Sequence, residues 1–515
     1  MTIDRRRFLA ALGAGGAVLV AGAQRAAALD RAGPGTGAGG PSAVDAWPAR
    51  ARSGAVLPPD WQALRTRLDG RLLLPADQGY GEARLGYNEL NDGQFPAAVA
   101  RCTSPSDVRA CLDVARGHGI PIAARSGGHS YLGYSVPAGG LVMDLRPMAR
   151  VRVRPDGTAV VGAGARLIEV YAALAQAGRL LPAGSCPTVG IGGLALGGGI
   201  GVLARKYGLT CDRLAAAQVV TADSSLLEAS PDSEPDLYWA LRGGGGGNFG
   251  VVCEFTFRTE PAPGLTVFSL GFPAGSATAV VGAWQQWIAG TPFEMWTTCQ
   301  LSGGDPPSCR IVGCYVGAES EANQLLDQLF AAAGVQPSTR SVLPKNYLDA
   351  MKYMAGCAND TIAQCHLVSE GGVLPRSSFV AVSRMLGPTA LDAGRVTDLM
   401  AGRTGVDLLL DSLGGAVSQL APDATAFPHR SSLASAQVYA SATAAGQAAV
   451  TESVDAVRDG LAELGATGAY VNYIDATLPD WGRAYYGANL DRLQSVSRRY
   501  DPDAVFAFPQ SVTCG

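Results

Sequence analysis

Across residues 107–119 apolar side chains recur at Val108, Leu112 and Ala115, one stripe of a helix, with Ser106 as the expected N-cap and glycine as the stop. The period then shortens. Residues 120–124 and 142–145 are brief apolar runs of strand type, and the first leads directly into Arg125-Ser126-Gly127-Gly128-His129-Ser130. Residues 151–153 and 158–162 flank Pro155-Asp156-Gly157, turn chemistry that predicts a hairpin. Helical spacing returns over 166–177. Beyond Pro261-Ala262-Pro263-Gly264 glycine thins out and a second unit is expected, with a helix over Glu319–Ala333 and strands over 406–410 and 436–440. Helices and strands mixed in this order predict an α+β fold in two domains, not a regular βαβ series. No internal repeat is visible.

Two segments carry candidate chemistry. His129 lies in the first glycine-flanked run, and Cys186 in Gly184-Ser185-Cys186-Pro187-Thr188-Val189-Gly190. Glycine lets backbone N–H groups approach a bound anion because no Cβ intervenes. A nucleophile in such a loop is suited to a phosphate-bearing cofactor; a surface histidine and an inert core cysteine are the plainer alternative. Two denser glycine runs follow, at 190–201 and 243–250. Gly190, Gly192 and Ala195 have GxGxxA spacing with Asp212 further on, but prolines 182 and 187 precede them where a dinucleotide-binding fold requires a strand. A Rossmann assignment is therefore rejected, while phosphate cradling by the two loops is retained.

A chain of 515 residues exceeds what one core usually holds. Its net charge of −4 provides no electrostatic basis for binding nucleic acid or an anionic membrane. The N-terminus reads as a twin-arginine signal, with Arg5 and Arg6 before an Ala/Gly/Val-rich stretch too short to span a bilayer, so export without stable membrane insertion is expected. Eleven cysteines suit an oxidising destination; Cys309–Cys314 and Cys357–Cys365 are spaced to close local loops. There is no CxxC pair, the four histidines are scattered, and no metal site is expected.

Taken in order, Tyr87-Asn88, Pro96, Arg101-Cys102, Arg125 to Ser130, Cys186 to Gly190, Tyr207 to Asp212, Trp239 to Gly245, Tyr470-Val471-Asn472-Tyr473-Ile474-Asp475, Trp481, Tyr485-Tyr486-Gly487, Asn489, Tyr500-Asp501-Pro502 and Phe508-Pro509-Gln510-Ser511 resemble the berberine bridge enzyme-like family of FAD-dependent oxidases, within the vanillyl-alcohol oxidase/p-cresol methylhydroxylase superfamily. The resemblance spans almost the whole chain after the signal. It implies a two-domain flavoprotein oxidase fold: a signal peptide over 1–28, a leader over 29–55, an FAD-binding part over 56–263, a substrate-binding domain over 264–462, and a segment over 463–515 that returns to the FAD domain. It also implies FAD attached twice, through His129 at the flavin 8α carbon and Cys186 at C6. Arg125, Ser126, Gly127, Gly128, Ser130, Val189, Gly190, Gly192, Gly193, Gly198, Gly199, Gly250, Val251 and Asn472 are the expected cofactor contacts. Val189 matches the family's oxygen gatekeeper, where a small side chain accompanies oxidase behaviour.

The resemblance further implies Tyr473 as catalytic base and Asp411 as a second ionisable group. A tyrosine fills that role when its surroundings bring the phenol down from its ordinary pKa near ~10. Tyr131 and Tyr134 either line the pocket or pack it. Trp284, Trp287 and Trp296 are either stacking platforms for sugar or core. Alkaloid-cyclising members carry a glutamate on the strand after Phe-Pro-His-Arg; here Phe427-Pro428-His429-Arg430 is followed by Ser431 to Gln437 with no acid. His429 is expected to be a structural hydrogen-bonding residue. The expected activity is oxidation of CH–OH to C=O in a glycosylated secondary metabolite or oligosaccharide, with O2 reduced to H2O2. An oxidative cyclase and a non-catalytic flavin-fold binding protein are the alternatives.

Overall fold

The computed structural model describes Trp47 and residues 58–514; the twin-arginine signal and almost all of the leader lie outside them. Helices and strands mix as the sequence predicts. A four-stranded sheet runs in the order Arg71–Leu73, Ala98–Arg101, Leu141–Asp144, Ile122–Arg125, with the first pair antiparallel and the rest parallel. The helix Pro105–His118 forms the crossover that parallel strands require. Its cap is Ser104, not Ser106: Ser104 Oγ accepts from the Asp107 N–H at 3.3 Å, and Pro105 takes the first helical position, where its fixed φ and missing N–H cost nothing. The strand after it, Ile122–Arg125, starts two residues later than the apolar run suggests and delivers the chain into Ser126–His129.

A second, five-stranded antiparallel sheet contains the expected hairpin, Val151–Val153 with Thr158–Gly162, beside Val251–Arg258, Leu214–Val220 and Leu226–Ala229. These two sheets share one hydrophobic core, together with side chains of the C-terminal segment such as Tyr485, Leu493 and Val512.

From Leu265 onward the chain builds a seven-stranded sheet, ordered Thr339–Lys345, Leu265–Gly271, Ser308–Tyr315, Met295–Ser302, Val406–Ser412, Ala434–Ser441, Phe379–Leu386, every neighbouring pair antiparallel. Alternation along each strand divides its faces. Cys299, Leu301, Leu408, Leu410, Ala436 and Val438 face a second core, covered by the helices Ala277–Gly290, Glu319–Ala333, Ala393–Asp398 and Gln447–Glu463. Trp296, Thr298, Leu409, Asp411 and Tyr439 alternate with them and line a cleft on the opposite side. Trp284 and Trp287 are core residues, their indole N–H groups donating to Thr297 Oγ1 and the Leu325 carbonyl.

Cys357 and Cys365 form a disulfide. Cys309 and Cys314 do not. They lie on the same strand five residues apart, so they point to opposite faces, and the sulfur nearest Cys309 is that of Cys299, 3.9 Å away. Among the described residues no helix is long and apolar enough to cross a membrane.

Candidate active site

The cleft has a volume of about 390 Å³ and runs from the glycine loops to the polar face of the seven-stranded sheet. Its phosphate-suited end depends on close backbone approach. A Cβ on Gly127 would lie 2.2 Å from the Gly190 nitrogen, and one on Gly190 would lie 2.0 Å from Ser126 Oγ. The two loops therefore interlock only because both positions are glycine. Ser126 is fixed further by donating to the Ala163 carbonyl at 2.5 Å and by accepting, at its own carbonyl, from Arg166 Nη1 at 3.0 Å.

Ser126, Gly127, Gly128, Ser130, Val189, Gly190, Gly192, Gly193, Gly250, Val251 and Asn472 all line the cleft. Three expected contacts do not. Arg125 is buried, pairs with Asp144 at 3.1 Å and donates to the Ala83 carbonyl. Burial lowers its guanidinium pKa to about 10 against the pull of Asp144, and its task is to tie strands together. Gly199 donates its N–H to Tyr470 Oη at 2.9 Å, and a Cβ on Gly198 would meet the Phe427 ring at 2.9 Å. Both allow tight packing behind the cleft. Conversely, the loop Gly245-Gly246-Gly247-Asn248 does line it, and the glycine run at 243–250 is the sequence signal for that.

His129 and Cys186 converge. The His129 ring is stacked on Tyr87, centroids 3.9 Å apart and 16° from parallel. His129 Nε2 lies 3.0 Å from Thr188 Oγ1, and Cys186 Sγ lies 3.6 Å from the same oxygen. Imidazole and thiol, from loops far apart in sequence, thus meet at one hydroxyl inside the cleft. Together with the glycine cradle, this donor set fits a phosphate-bearing cofactor with an electrophilic ring.

Tyr473 and Asp411 lie in the same cleft. The Tyr473 ring stacks on Tyr131 at 5.4 Å and meets Tyr470 edge-on at 5.1 Å. Its loop is held by Asn472, which donates to the Leu194 carbonyl at 3.0 Å, and by Asp475, paired with Arg458 at 2.8 Å where both are 3% exposed. Asp411 accepts from Thr298 Oγ1 at 2.5 Å across the sheet. Tyr131 and Tyr134 both line the cleft, Tyr131 accepting at its hydroxyl from the Gln437 amide.

Trp296, one of the three candidate platforms, also lines the cleft. On its side of the sheet, Trp296 Nε1, Gln300 Oε1, Ser435 Oγ and Gln437 Oε1 are buried without a protein partner. Buried polar atoms are nearly always hydrogen-bonded; of these four residues only Trp296 lines the cleft, while Gln300, Ser435 and Gln437 lie on the same sheet face outside its lining. Sequence reasoning missed Thr298, Gln300, Ser435 and Gln437; alternation groups them on one face but cannot say which face is wet. His429 is structural, as expected: it is half-buried, donates from Nε2 to the Tyr485 carbonyl at 3.0 Å, and desolvation pushes its pKa down to about 4, so it stays neutral.

Comparisons with known proteins agree with this geometry. The profile for the FAD binding domain matches residues 96–230, and the profile described as berberine and berberine like matches residues 469–513. A chitooligosaccharide oxidase of Gibberella zeae is 34% identical over 462 residues, covering 84% of this chain and 90% of its own. The solved structure of Physcomitrella patens BBE-like 1 superposes with a TM-score of 0.82 at 30% identity, covering 88% of this chain and 98% of that one. Glucooligosaccharide oxidase from Acremonium strictum superposes with a TM-score of 0.79 at 28% identity over 88% of this chain and 98% of that one. That structure concerns the functional roles of its 6-S-cysteinyl, 8α-N1-histidyl FAD.

Proposed function

The chain belongs to the berberine and berberine-like family of FAD-linked oxidoreductases, and on that premise we propose that it oxidises a carbinol of an oligosaccharide or glycosylated metabolite to a carbonyl, with O2 as the final acceptor. It is an FAD-dependent oxidase; the substrate class is the inference. The observation that carries it is the cleft-facing side of the seven-stranded sheet. On that side Trp296, Thr298 and Asp411 line the cleft with an indole, a hydroxyl and a carboxylate, in the same cleft as Tyr473, groups that a polyhydroxylated substrate can hydrogen-bond and an apolar one cannot. Gln437 also bears on the alternative of an oxidative cyclase: it sits on the strand where cyclising members carry their glutamate, and an amide cannot take a proton. A non-catalytic binder would have no need of Tyr473, Asp411, His129 and Cys186 in one cleft.

In this reading Tyr473 accepts the substrate hydroxyl proton at its phenolic oxygen, with Asp411 as the second ionisable group of the cleft. When bound, FAD supplies the hydride acceptor and the site of reoxidation by O2, which yields H2O2. His129 and Cys186 hold it by two bonds, the glycine loops receive its pyrophosphate, and Val189 leaves a path for oxygen. Export through the twin-arginine route belongs to the same reading and rests on Arg5, Arg6 and the stretch after them.

Oxygen consumption measured across a panel of oligosaccharides and glycosides, with products identified, tests the proposal. The expected result is one H2O2 per carbonyl formed with at least one saccharide class. Oxygen uptake with apolar phenols or alkaloids alone would overturn it.

A further inference from the structure

We infer that Thr188 is the residue that decides which imidazole nitrogen of His129 is available to form a covalent bond; the inference rests on the reading that His129 is a point of flavin attachment. Thr188 is 1% exposed, and its backbone is fixed on both sides. The Pro187 and Val189 carbonyls accept from Ile168 and Leu167 at 3.1 and 2.9 Å, and the Thr188 carbonyl lies close behind Gly127 of the phosphate loop. Its hydroxyl therefore occupies one place, 3.0 Å from His129 Nε2, while Tyr87 stacking holds the imidazole plane.

A nucleophilic nitrogen needs a lone pair. In neutral imidazole one nitrogen carries the proton and the other the pair, and the hydrogen-bond partner selects between them. The contact permits either direction, and Nε2–H is here assigned as the donor to Thr188 Oγ1 before attachment, which puts the lone pair on Nδ1. In that assignment the hydroxyl's own proton is left for Cys186 Sγ, 3.6 Å away, so one oxygen contacts both attaching groups. After bond formation Nε2 has no proton, and the same hydroxyl can rotate to donate to it. A hydroxyl serves both stages, and no aliphatic side chain serves either.

The net step joins Nδ1 to the carbon of the ring methyl. One proton leaves the imidazole, one leaves the methyl group, and the two electrons released pass by way of the flavin to O2, giving H2O2. Atoms and electrons balance with O2 as the only co-reactant.

Thr188→Ala and Thr188→Ser both remove the γ-methyl and differ only in the hydroxyl, so packing loss is common to the two. The test digests FAD-loaded wild type and both variants and maps flavin-bearing peptides by mass spectrometry, with the linked nitrogen assigned by NMR. The wild type should yield the His129 and Cys186 peptides joined through one flavin by Nδ1. Thr188→Ser should retain that product at near wild-type yield. Thr188→Ala should lose at least tenfold of the Nδ1-linked peptide, the remainder being linked through Nε2 or not at all. Equal yields of the Nδ1 product in both variants, whether retained or lost, would overturn the inference. A wild type whose flavin-bearing peptides never include His129 would instead defeat the attachment reading, a separate outcome.

Discussion

The rings of Tyr131 and Tyr473 lie 5.4 Å apart and within 9° of parallel, joining the loop that follows His129 to the C-terminal segment. Tyr131 is itself fixed from a third direction, by the Gln437 amide at its hydroxyl and by Phe379 meeting its ring edge-on at 5.0 Å. A residue from the cofactor loop thereby sets the attitude of the proposed base. Stacking of this kind contributes about 0.5–1.5 kcal/mol beyond area burial. Tyr131→Phe keeps the ring and should change the rate of flavin reduction less than threefold. Tyr131→Leu removes the stack and should slow reduction about three- to tenfold, read by anaerobic stopped flow.

Val189 lines the cleft three residues beyond Cys186. If Val189 is the oxygen gate proposed above, an added methylene there narrows the path of oxygen and leaves Tyr473 and Asp411 unaltered. Val189→Ile should slow reoxidation of the reduced enzyme in air while leaving its reduction by substrate within about twofold. Unchanged reoxidation would return Val189 to a packing role.

His366 ties the disulfide-closed segment to the helix Leu167–Gln176: its Nε2 lies 3.2 Å from Glu169 Oε1, and its Nδ1 lies 3.0 Å from the Ile362 carbonyl. Glu370, which pairs with Arg166 and Arg146, is the other acid that raises its pKa. The hydrogen bond to Glu169 raises the His366 pKa above its ordinary value of 6.5. A raised value means the folded state binds the proton more tightly. The resulting stability is present in full below about pH 6.5 and is lost as pH rises through the folded value. Thermal unfolding followed from pH 6 to 9 should show this loss in the wild type, and His366→Gln should flatten it.

Arg458 and Asp475 form a buried pair two residues from Tyr473. Removing the cation leaves Asp475 with its bonds from Thr477 and the charge of Arg384 but without its paired guanidinium, so Arg458→Met should destabilise the protein by about 3–5 kcal/mol in denaturant titrations.

Much of this was legible in sequence where spacing and chemistry agree. The helix Glu319–Ala333 has a continuous apolar stripe with acidic residues in its first turn, and the structure starts and ends it at those residues. The motif glycines at 127 and 190 proved to be forced by contact. Arg125, Gly198 and Gly199 show the limit: adjacency to a motif does not reveal which neighbours face the ligand and which support it from behind. Asp411 lies one residue beyond the strand expected over 406–410, but the strand runs on to Ser412, and pairing with Thr298 aims its side chain into the cleft. The partners Thr298 and Gln437 come from strands distant in sequence, so no local pattern could name them. Cys314 is the cysteine nearest Cys309 in sequence, whereas strand pairing brings the Cys299 sulfur to 3.9 Å from it in space.

The measurement that bears most directly on the central claim is the anaerobic rate at which an oligosaccharide bleaches the flavin of the wild type and of Tyr473→Phe. The variant loses one oxygen atom and keeps the ring, so the stack on Tyr131 and flavin attachment should survive. A positioned general base contributes about 10²–10⁴-fold, and only the reduction half-reaction breaks the substrate O–H bond. Reduction should therefore slow by that factor while reoxidation by O2 stays at the wild-type rate. Reduction of Tyr473→Phe at the wild-type rate would contradict the account.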